Sequence, residues 1–305
     1  MGKSALVTGA FGFVGRHVAR KLASDGWIVT GLGHGSWTRE ESHKWGVDEW
    51  HVEDVTLEAL ITYGGKPDII IHCAGSGSVA FSVSHPNIDF KRTVETMLAV
   101  LDFCRVCAPK ARIIYPSSAG VYGVVRNLPI LESAPLFPAS PYGVHKRIAE
   151  VLCESYAQNF GLAVAIVRLF SVYGVGLRKQ LLWDASQKIM FGQSDFFGTG
   201  EEIRDWLHVE DAANLLIAAA SHASTNCPIV NGGGGKGVTV REILAQLFNY
   251  FSRVDSPNFS GVARSGDPPG YVADISLVNQ WNWQAKINLS CGLREYVDWI
   301  KEGAP

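Results

Sequence analysis

TGAFGFVG, residues 8–15, follows directly on the short apolar run Ser4-Ala5-Leu6-Val7 at the start of the chain. Its glycines, Gly9, Gly12 and Gly15, are spaced G-x-x-G-x-x-G, with Phe11, Phe13 and Val14 between them. A strand that feeds a tight turn and then a helix leaves backbone N–H groups free at the helix start. The helix dipole adds partial positive charge there. A pyrophosphate fits only where no Cβ intrudes. Gly9 permits the turn, Gly12 lets the phosphate approach the backbone, and Gly15 lets the helix lie close on the strand. The stretch reads as the phosphate-binding end of a dinucleotide site, and it sets the fold expected downstream.

Working outward, strands are expected at 6–8, 27–30, 68–72, 112–115 and 163–169. Helices are expected at 13–24, 57–62, 87–107 and 141–160, the last stopped by Gly161. Strands alternating with helices imply an α/β fold, a doubly wound parallel sheet with helices on both faces. After Ser171 the segments shorten and become richer in Gly, Pro and Trp, with helices expected at 181–191, 209–222, 240–251 and 293–301. The expected organisation is a dinucleotide-binding domain over residues 1–170 and a smaller α/β lobe, mainly substrate-binding, over 171–305. Segments at about 205–235 return to the main sheet. The run NGGGGKG at 231–237 looks like a phosphate loop, but no Ser or Thr follows Lys236 and the glycine spacing differs. It reads as a flexible strand-to-helix turn.

The composition excludes several classes. The 305 residues are 47% hydrophobic and 18% charged, which suits a soluble globular protein. A net charge of −2 exerts no general pull on nucleic acid or anionic membrane. Any phosphorylated ligand must therefore be held by a local site. No apolar run approaches the roughly 20 residues needed to span a bilayer, and MGKSALVTGA is not built like a signal peptide. The six cysteines are scattered and read as reduced, in a cytoplasmic protein. Cys104 and Cys107 form C-x-x-C within an amphipathic helix and read as core; no metal site is expected.

A dinucleotide site usually carries an acidic residue after the second strand, where it holds the adenosine ribose hydroxyls. Here that region is GLGHGSWTR, 31–39, with no Asp or Glu. A carboxylate would repel a 2′-phosphate, so its absence favours NADP over NAD. His34, Ser36 and Arg39 are the candidate phosphate contacts. Asp54 and Val55, beyond a third strand, are placed to meet the adenine.

The second signal is SPYGVHK, 140–146, in which Tyr142 and Lys146 stand four apart on one helix face. A free tyrosine holds its proton to about pH 10. A neighbouring ammonium and an oxidised nicotinamide favour the phenolate, so such a tyrosine can exchange a proton with a hydroxyl while a hydride moves. Upstream, Ser117 and Ser118 in PSSAGVYG, 116–123, follow a strand. A serine at the carboxyl end of a parallel strand faces the ligand crevice and can hydrogen-bond the same substrate oxygen.

With these motifs in hand the whole chain resembles the extended short-chain dehydrogenases/reductases, the NAD(P)-dependent epimerases, dehydratases and reductases of nucleotide sugars. The resemblance is carried by 8–15, DIIIHCAG at 68–75, SSAGVYG at 117–123, Tyr142 and Lys146, RLFSVYG at 168–174, RDWLHVED at 204–211, and Arg264–Asp267 with Ala273–Asp274. It implies a Rossmann domain, a nucleotide-sugar substrate and a homodimer formed through the helices at 87–107 and 141–160. It implies Ser118, Tyr142 and Lys146 as catalytic residues, with Tyr142 the acid/base and Lys146 also on the nicotinamide ribose. Cys73, Ala74 and Gly75 would line the cofactor. Arg204 and Arg264 would bind the substrate diphosphate, with bidentate guanidinium contacts. Lys179, Gln180 and Trp183 would meet the base or sugar, and Ser117 and Ser171 the substrate.

Departures from the family pattern narrow the chemistry. The dehydratases' acidic pair after the catalytic Ser or Thr is Ala119-Gly120 here, so elimination of water is not expected. The cysteine used by fucose-synthase-like epimerases is absent. Ser171 replaces an Asn common in 4-epimerases, and Thr93 stands where many relatives carry an Asn. Hydride transfer at one carbinol, C4, remains. The missing ribose carboxylate places a 4-keto-sugar reductase using NADPH ahead of the alternative, a nucleotide-sugar 4-epimerase. A non-catalytic NAD(P)-binding relative comes third, because Ser, Tyr and Lys are all present.

Overall fold

The computed structural model describes residues 2–262 and 270–303. Thirteen strands are found among them. In chain order they are β1 (Ser4–Thr8), β2 (Ile28–Gly33), β3 (Glu49–Val52), β4 (Ile69–His72), β5 (Arg112–Ser118), β6 (Ala163–Leu169), β7 (Ser171–Tyr173), β8 (Asp195–Phe196), β9 (Ile203–His208), β10 (Ile229–Gly232), β11 (Gly237–Thr239), β12 (Asn258–Phe259) and β13 (Gly270–Tyr271). Seven of these form one parallel sheet in the order β10-β6-β5-β4-β1-β2-β3.

The sequence explains why this sheet is covered on both faces. Side chains alternate across a strand, and here both sets are apolar. Ile69 and Ile71 pack on one side with Ala5, Val7 and Ile114. Ile70 packs on the other with Leu6, Ile113 and Tyr115. Helices Phe13–Ser24 and Val209–Ala219 cover the first face; helices Thr96–Cys107 and Pro141–Phe160 cover the second. Strand order reverses direction between β1 and β4, and a doubly wound sheet binds its ligand in the crevice at such a switch point. The strand ends there are tied together. Thr8 hydroxyl lies 2.7 Å from His72 Nδ1, and Ala74 N–H donates to the same hydroxyl at 3.4 Å.

A second sheet is centred on β9, which pairs with β7 and β13 in parallel and with β11 antiparallel. With helices Gln180–Met190, Val240–Tyr250 and Leu289–Lys301 it surrounds a separate apolar core of Leu182, Ile243, Leu247, Tyr296 and Val297. No helix among the described residues is long and apolar enough to cross a membrane.

Three local expectations change. The helix expected over 87–107 is broken into Pro86–Phe90, a π turn at Lys91–Glu95, and Thr96–Cys107. A single π turn keeps the side-chain pattern helical, so periodicity does not reveal it. Helix Arg39–Lys44 was not expected. It is started by a capping box in which Thr38 accepts from Glu41 N–H while the Glu41 carboxylate accepts from Thr38 N–H. The glycine run after β10 is not a loose turn: Gly234 and Gly235 donate their N–H groups to Asp205 of β9 at 2.7 and 2.9 Å, and Ala273 N–H adds a third bond at 3.0 Å. The anion held by this glycine run is the protein's own carboxylate.

Candidate active site

The glycine turn behaves as its spacing requires. Gly9 has φ +69°, and a Cβ there would stand 2.6 Å from Ala74 N. A Cβ on Gly15 would stand 2.2 Å from Gly9 O, so the helix reaches the strand only because residue 15 has none. Gly12 is the N-cap and offers no side-chain acceptor, which leaves the first helical N–H groups to a ligand. Two cavities meet at this turn. One, of about 220 Å³, is lined by Gly12, Phe13, Val14, Gly15, Cys73, Ala74, Gly75, Ser118, Tyr142 and Lys146. The other, of about 770 Å³, is lined by Gly9, Phe11, His34, Asp54, Val55, Lys91 and Arg92, and shares Gly12 and 73–75 with the first. A dinucleotide fits this arrangement: a glycine cradle with uncapped N–H groups in the middle and a cavity on either side.

The three catalytic candidates come together from two elements. Ser118 ends β5 and caps the short 3-10 turn Ala119–Val121, accepting from Gly120 N–H at 3.1 Å. Tyr142 and Lys146 lie on the first turns of Pro141–Phe160, whose start is capped by Ser140 with Pro141 at the first helical position. A Cβ on Gly143 would come within 2.4 Å of Gly120 O, so glycine beside the tyrosine lets this helix press against the Ser118 turn. Ser118 and Tyr142 both flank Gly120, where a Cβ would lie 3.4 Å from Ser118 Oγ and 3.5 Å from the Tyr142 ring. Lys146 Nζ donates to Pro116 O at 3.0 Å and lies 6.0 Å from the Tyr142 ring centre.

Burial shapes the charges. It pushes the Lys146 ammonium down to about 8, against the opposing pull of Cys73, Asp89 and Glu150, while the nearby Lys179 adds to the lowering. Burial also pushes Tyr142 above its ordinary value. The nearby Ser118 hydroxyl works the other way, and the Asp89 carboxylate adds to the rise. Among the groups of this chain, burial outweighs the pull toward phenolate expected from the lysine.

Several expected contacts are corrected. Ser117 lines the catalytic cavity, and its buried hydroxyl donates to Glu150 Oε1 at 2.6 Å. Ser171 does not line the cavity; its neighbours Phe170 and Val172 do. Trp183 packs in the core of the second sheet, 6.2 Å from Trp299. Ser36 and Arg39 do not join His34: Arg39 begins helix Arg39–Lys44 and lines a different cleft with Trp37, Asp48 and His51. Arg204 sits half-buried in β9, donating to the Ile203 carbonyl at 2.8 Å, outside the catalytic cavity. Arg264 and Asp267 lie outside the described residues. Lys179 and Gln180 do line the catalytic cavity, and Gln180 Nε2 donates to Gly77 O at 3.3 Å.

The sequence reading missed the supports behind the site. Glu150, fully buried, receives Ser117, Arg168 through two nitrogens (3.0 and 2.9 Å) and Arg147 at 3.2 Å. His145 Nδ1 lies 2.6 Å from the buried Asp89 carboxylate. Glu150 stands four residues after Lys146, and that spacing was the available signal.

With this geometry in place, comparison with known proteins is direct. The putative UDP-glucose 4-epimerase of Methanocaldococcus jannaschii is 29% identical over 97% of this chain and 98% of its own. The structure of UDP-glucose 4-epimerase with UDP-glucose from Thermotoga maritima superposes with a TM-score of 0.88 at 25% identity, covering 99% of this chain and 100% of that one. The Thermus thermophilus UDP-glucose 4-epimerase complex with NAD gives 0.85 at 26%, covering 98% and 99%. The model of the NAD dependent epimerase/dehydratase family matches residues 5–232, and the chain belongs to that family.

Proposed function

We propose that this protein is a nucleotide-sugar 4-epimerase that uses a nicotinamide dinucleotide. One observation carries the reading: Ser118, Tyr142 and Lys146 converge beside a glycine cradle, while Ala119 and Gly120 supply no acid for elimination. The reductase preference rests on the missing ribose carboxylate, but of the three candidate 2′-phosphate contacts only His34 lines the cavity, and the relatives named above are 4-epimerases or a putative one.

The glycine cradle and the cavity lined by Tyr142 and Lys146 would hold a nicotinamide dinucleotide, which would supply reversible hydride exchange with C4, the keto sugar turning between removal and return so that the opposite face receives the hydride. This chain's residues manage the proton. Tyr142 takes the C4 hydroxyl proton and later restores it to the same oxygen. Ser118 hydrogen-bonds that oxygen and holds it in line. Lys146 supplies a positive charge that offsets the growing phenolate. Lys179 and Gln180, at the cavity mouth beside Gly77, steady the substrate. We propose further that the enzyme is cytoplasmic and works as a homodimer through Thr96–Cys107 and Pro141–Phe160, which expose Leu98, Val106, Val144 and Val151. Light scattering on the purified protein checks the assembly.

The test is incubation with UDP-glucose and UDP-glucuronate, with C4 inversion followed by proton NMR. The C4 epimer is expected without consumption of added cofactor. Stoichiometric oxidation of NADPH against a 4-keto sugar, with no inversion, would restore the reductase. Tyr142→Phe is expected to lower turnover by about 10²–10⁴-fold while cofactor affinity stays unchanged.

A further inference from the structure

The end of β2 is where the adenosine ribose lies in a fold of this kind, and here the backbone itself disfavours a carboxylate. Gly33 has φ +149°, with a Cβ position 3.2 Å from Gly9 N. Gly35 has φ +140°, and a Cβ there would fall 2.2 Å from the Phe11 ring. The turn curls onto Phe11, whose ring lies 5.0 Å from that of Trp37 and whose carbonyl accepts two bonds from Arg16. This packing carries Ser36 and Arg39 away. Of residues 33–39, only Gly33 and His34 line the adenosine cavity. His34 Nε2 lies 2.6 Å from Asp54 Oδ1, and both side chains line that cavity.

We propose that His34, oriented by Asp54, takes the place of the ribose carboxylate and makes the choice between NAD and NADP depend on its protonation. With Nε2 committed to Asp54, Nδ1 is left for the ligand. In the neutral ring Nδ1 is an acceptor for a ribose hydroxyl; in the protonated ring Nδ1–H is a charge-assisted donor to a 2′-phosphate. The charged groups that share the cavity are Asp54 from the end of β3 and Lys91, Arg92 and Glu95 from the π turn. Asp54 is the counter-charge to the protonated ring. Lys91 and Arg92 set a baseline attraction for phosphate; His34 sets how that attraction varies with pH.

The inference rests on the dinucleotide reading of the two cavities, and titration calorimetry separates the two ideas. NAD and NADP are each titrated into the protein at about pH 6 and about pH 8, the range in which histidine changes charge. The ratio of NADP to NAD affinity is expected to be about fivefold higher at the lower pH. In His34→Asn that rise disappears or reverses, because the 2′-phosphate gains its own proton near pH 6 and loses charge. Asp54→Asn, which keeps the ring without its counter-charge, is expected to shrink the rise. A wild-type ratio that does not change with pH overturns the inference, as does an equal rise in His34→Asn. Absence of binding by either dinucleotide at both pH values removes the cofactor reading as well.

Discussion

Lys146 is the residue on which the chemistry turns most sharply. Its ammonium is held down to about 8 by burial, so it loses its charge within a practical pH range. Below about 8 the ammonium is present beside Tyr142; above it the charge is lost and the phenolate is no longer offset. Turnover should therefore fall tenfold per pH unit on the basic side, with an apparent midpoint near 8. Lys146→Arg, which stays charged, should remove that limb while lowering turnover overall; a pH profile of kcat for both proteins checks it. Ser118→Ala is expected to reduce kcat by about 10²-fold with little change in cofactor affinity. The candidates Ser118, Tyr142 and Lys146 stand out in the sequence because a fixed i,i+4 spacing and a serine at a strand end are local properties. The places of Ser36 and Arg39 were not legible: their distance from the cavity is set by glycine backbone geometry at 33 and 35 and by the Phe11 ring, and neither shows in a count of charges. Ser117 lines the same cavity as Ser118, but its hydroxyl is committed to the Glu150 carboxylate, a partner 33 residues away that no local pattern reveals.

At the scale of elements, the catalytic helix is tethered through one carboxylate. Glu150 of Pro141–Phe160 joins Ser117 on β5 to Arg168 on β6, and it is fully buried with both oxygens occupied. Truncation leaves the Arg168 guanidinium buried without its counter-ion, a change that costs about 3–5 kcal/mol. Glu150→Ala should thus lower the unfolding free energy by that amount in urea denaturation, and Glu150→Gln by less. If Glu150→Ala unfolded like the wild type, the tether would have no structural importance. Most helix and strand identities were readable from apolar spacing, because the inner strands of the main sheet bury both faces and each helix one stripe; the edge strand β3 does not. The π turn at Lys91–Glu95 was hidden, since it changes backbone pairing and leaves composition alone. The glycine run, expected as a flexible strand-to-helix turn, joins β10 to β11 and is pinned by Asp205, from a strand 29 residues earlier that no local pattern links to it.

At the scale of the molecule, the first helix and the segment leaving β7 are held together by a histidine that must stay neutral. His17, on Phe13–Ser24, lies 2.9 Å through Nε2 from Val175 O. Most of the main sheet was legible in the sequence because β1, β2, β4, β5 and β6 are apolar runs that alternate with helices along the chain. This junction was not, because β7, β9 and β13 pair across long separations and leave no periodic trace. Burial is the main force that pushes the His17 imidazole down to about 4, the Val175 hydrogen bond opposes it, and Arg20, His208 and Arg16 add to the lowering. The unfolded chain binds a proton at His17 near pH 6.5, whereas the folded chain does so only near 4. Between those values the unfolded state holds more protons, so stability falls as pH falls. The contribution is complete above about 6.5 and lost progressively down to about 4, and it amounts to roughly 3 kcal/mol from this one group. His72, pushed down to about 3 by burial, adds a loss of the same sign over a wider interval. Urea unfolding at a series of pH values should show the wild type losing stability from about pH 6.5 downward. His17→Gln, which keeps an N–H donor near Val175 but cannot take up the proton, should start from lower stability and lose less of it on acidification. An identical pH slope in the two proteins would show that His17 is not a neutral link between the helix and the β7 segment.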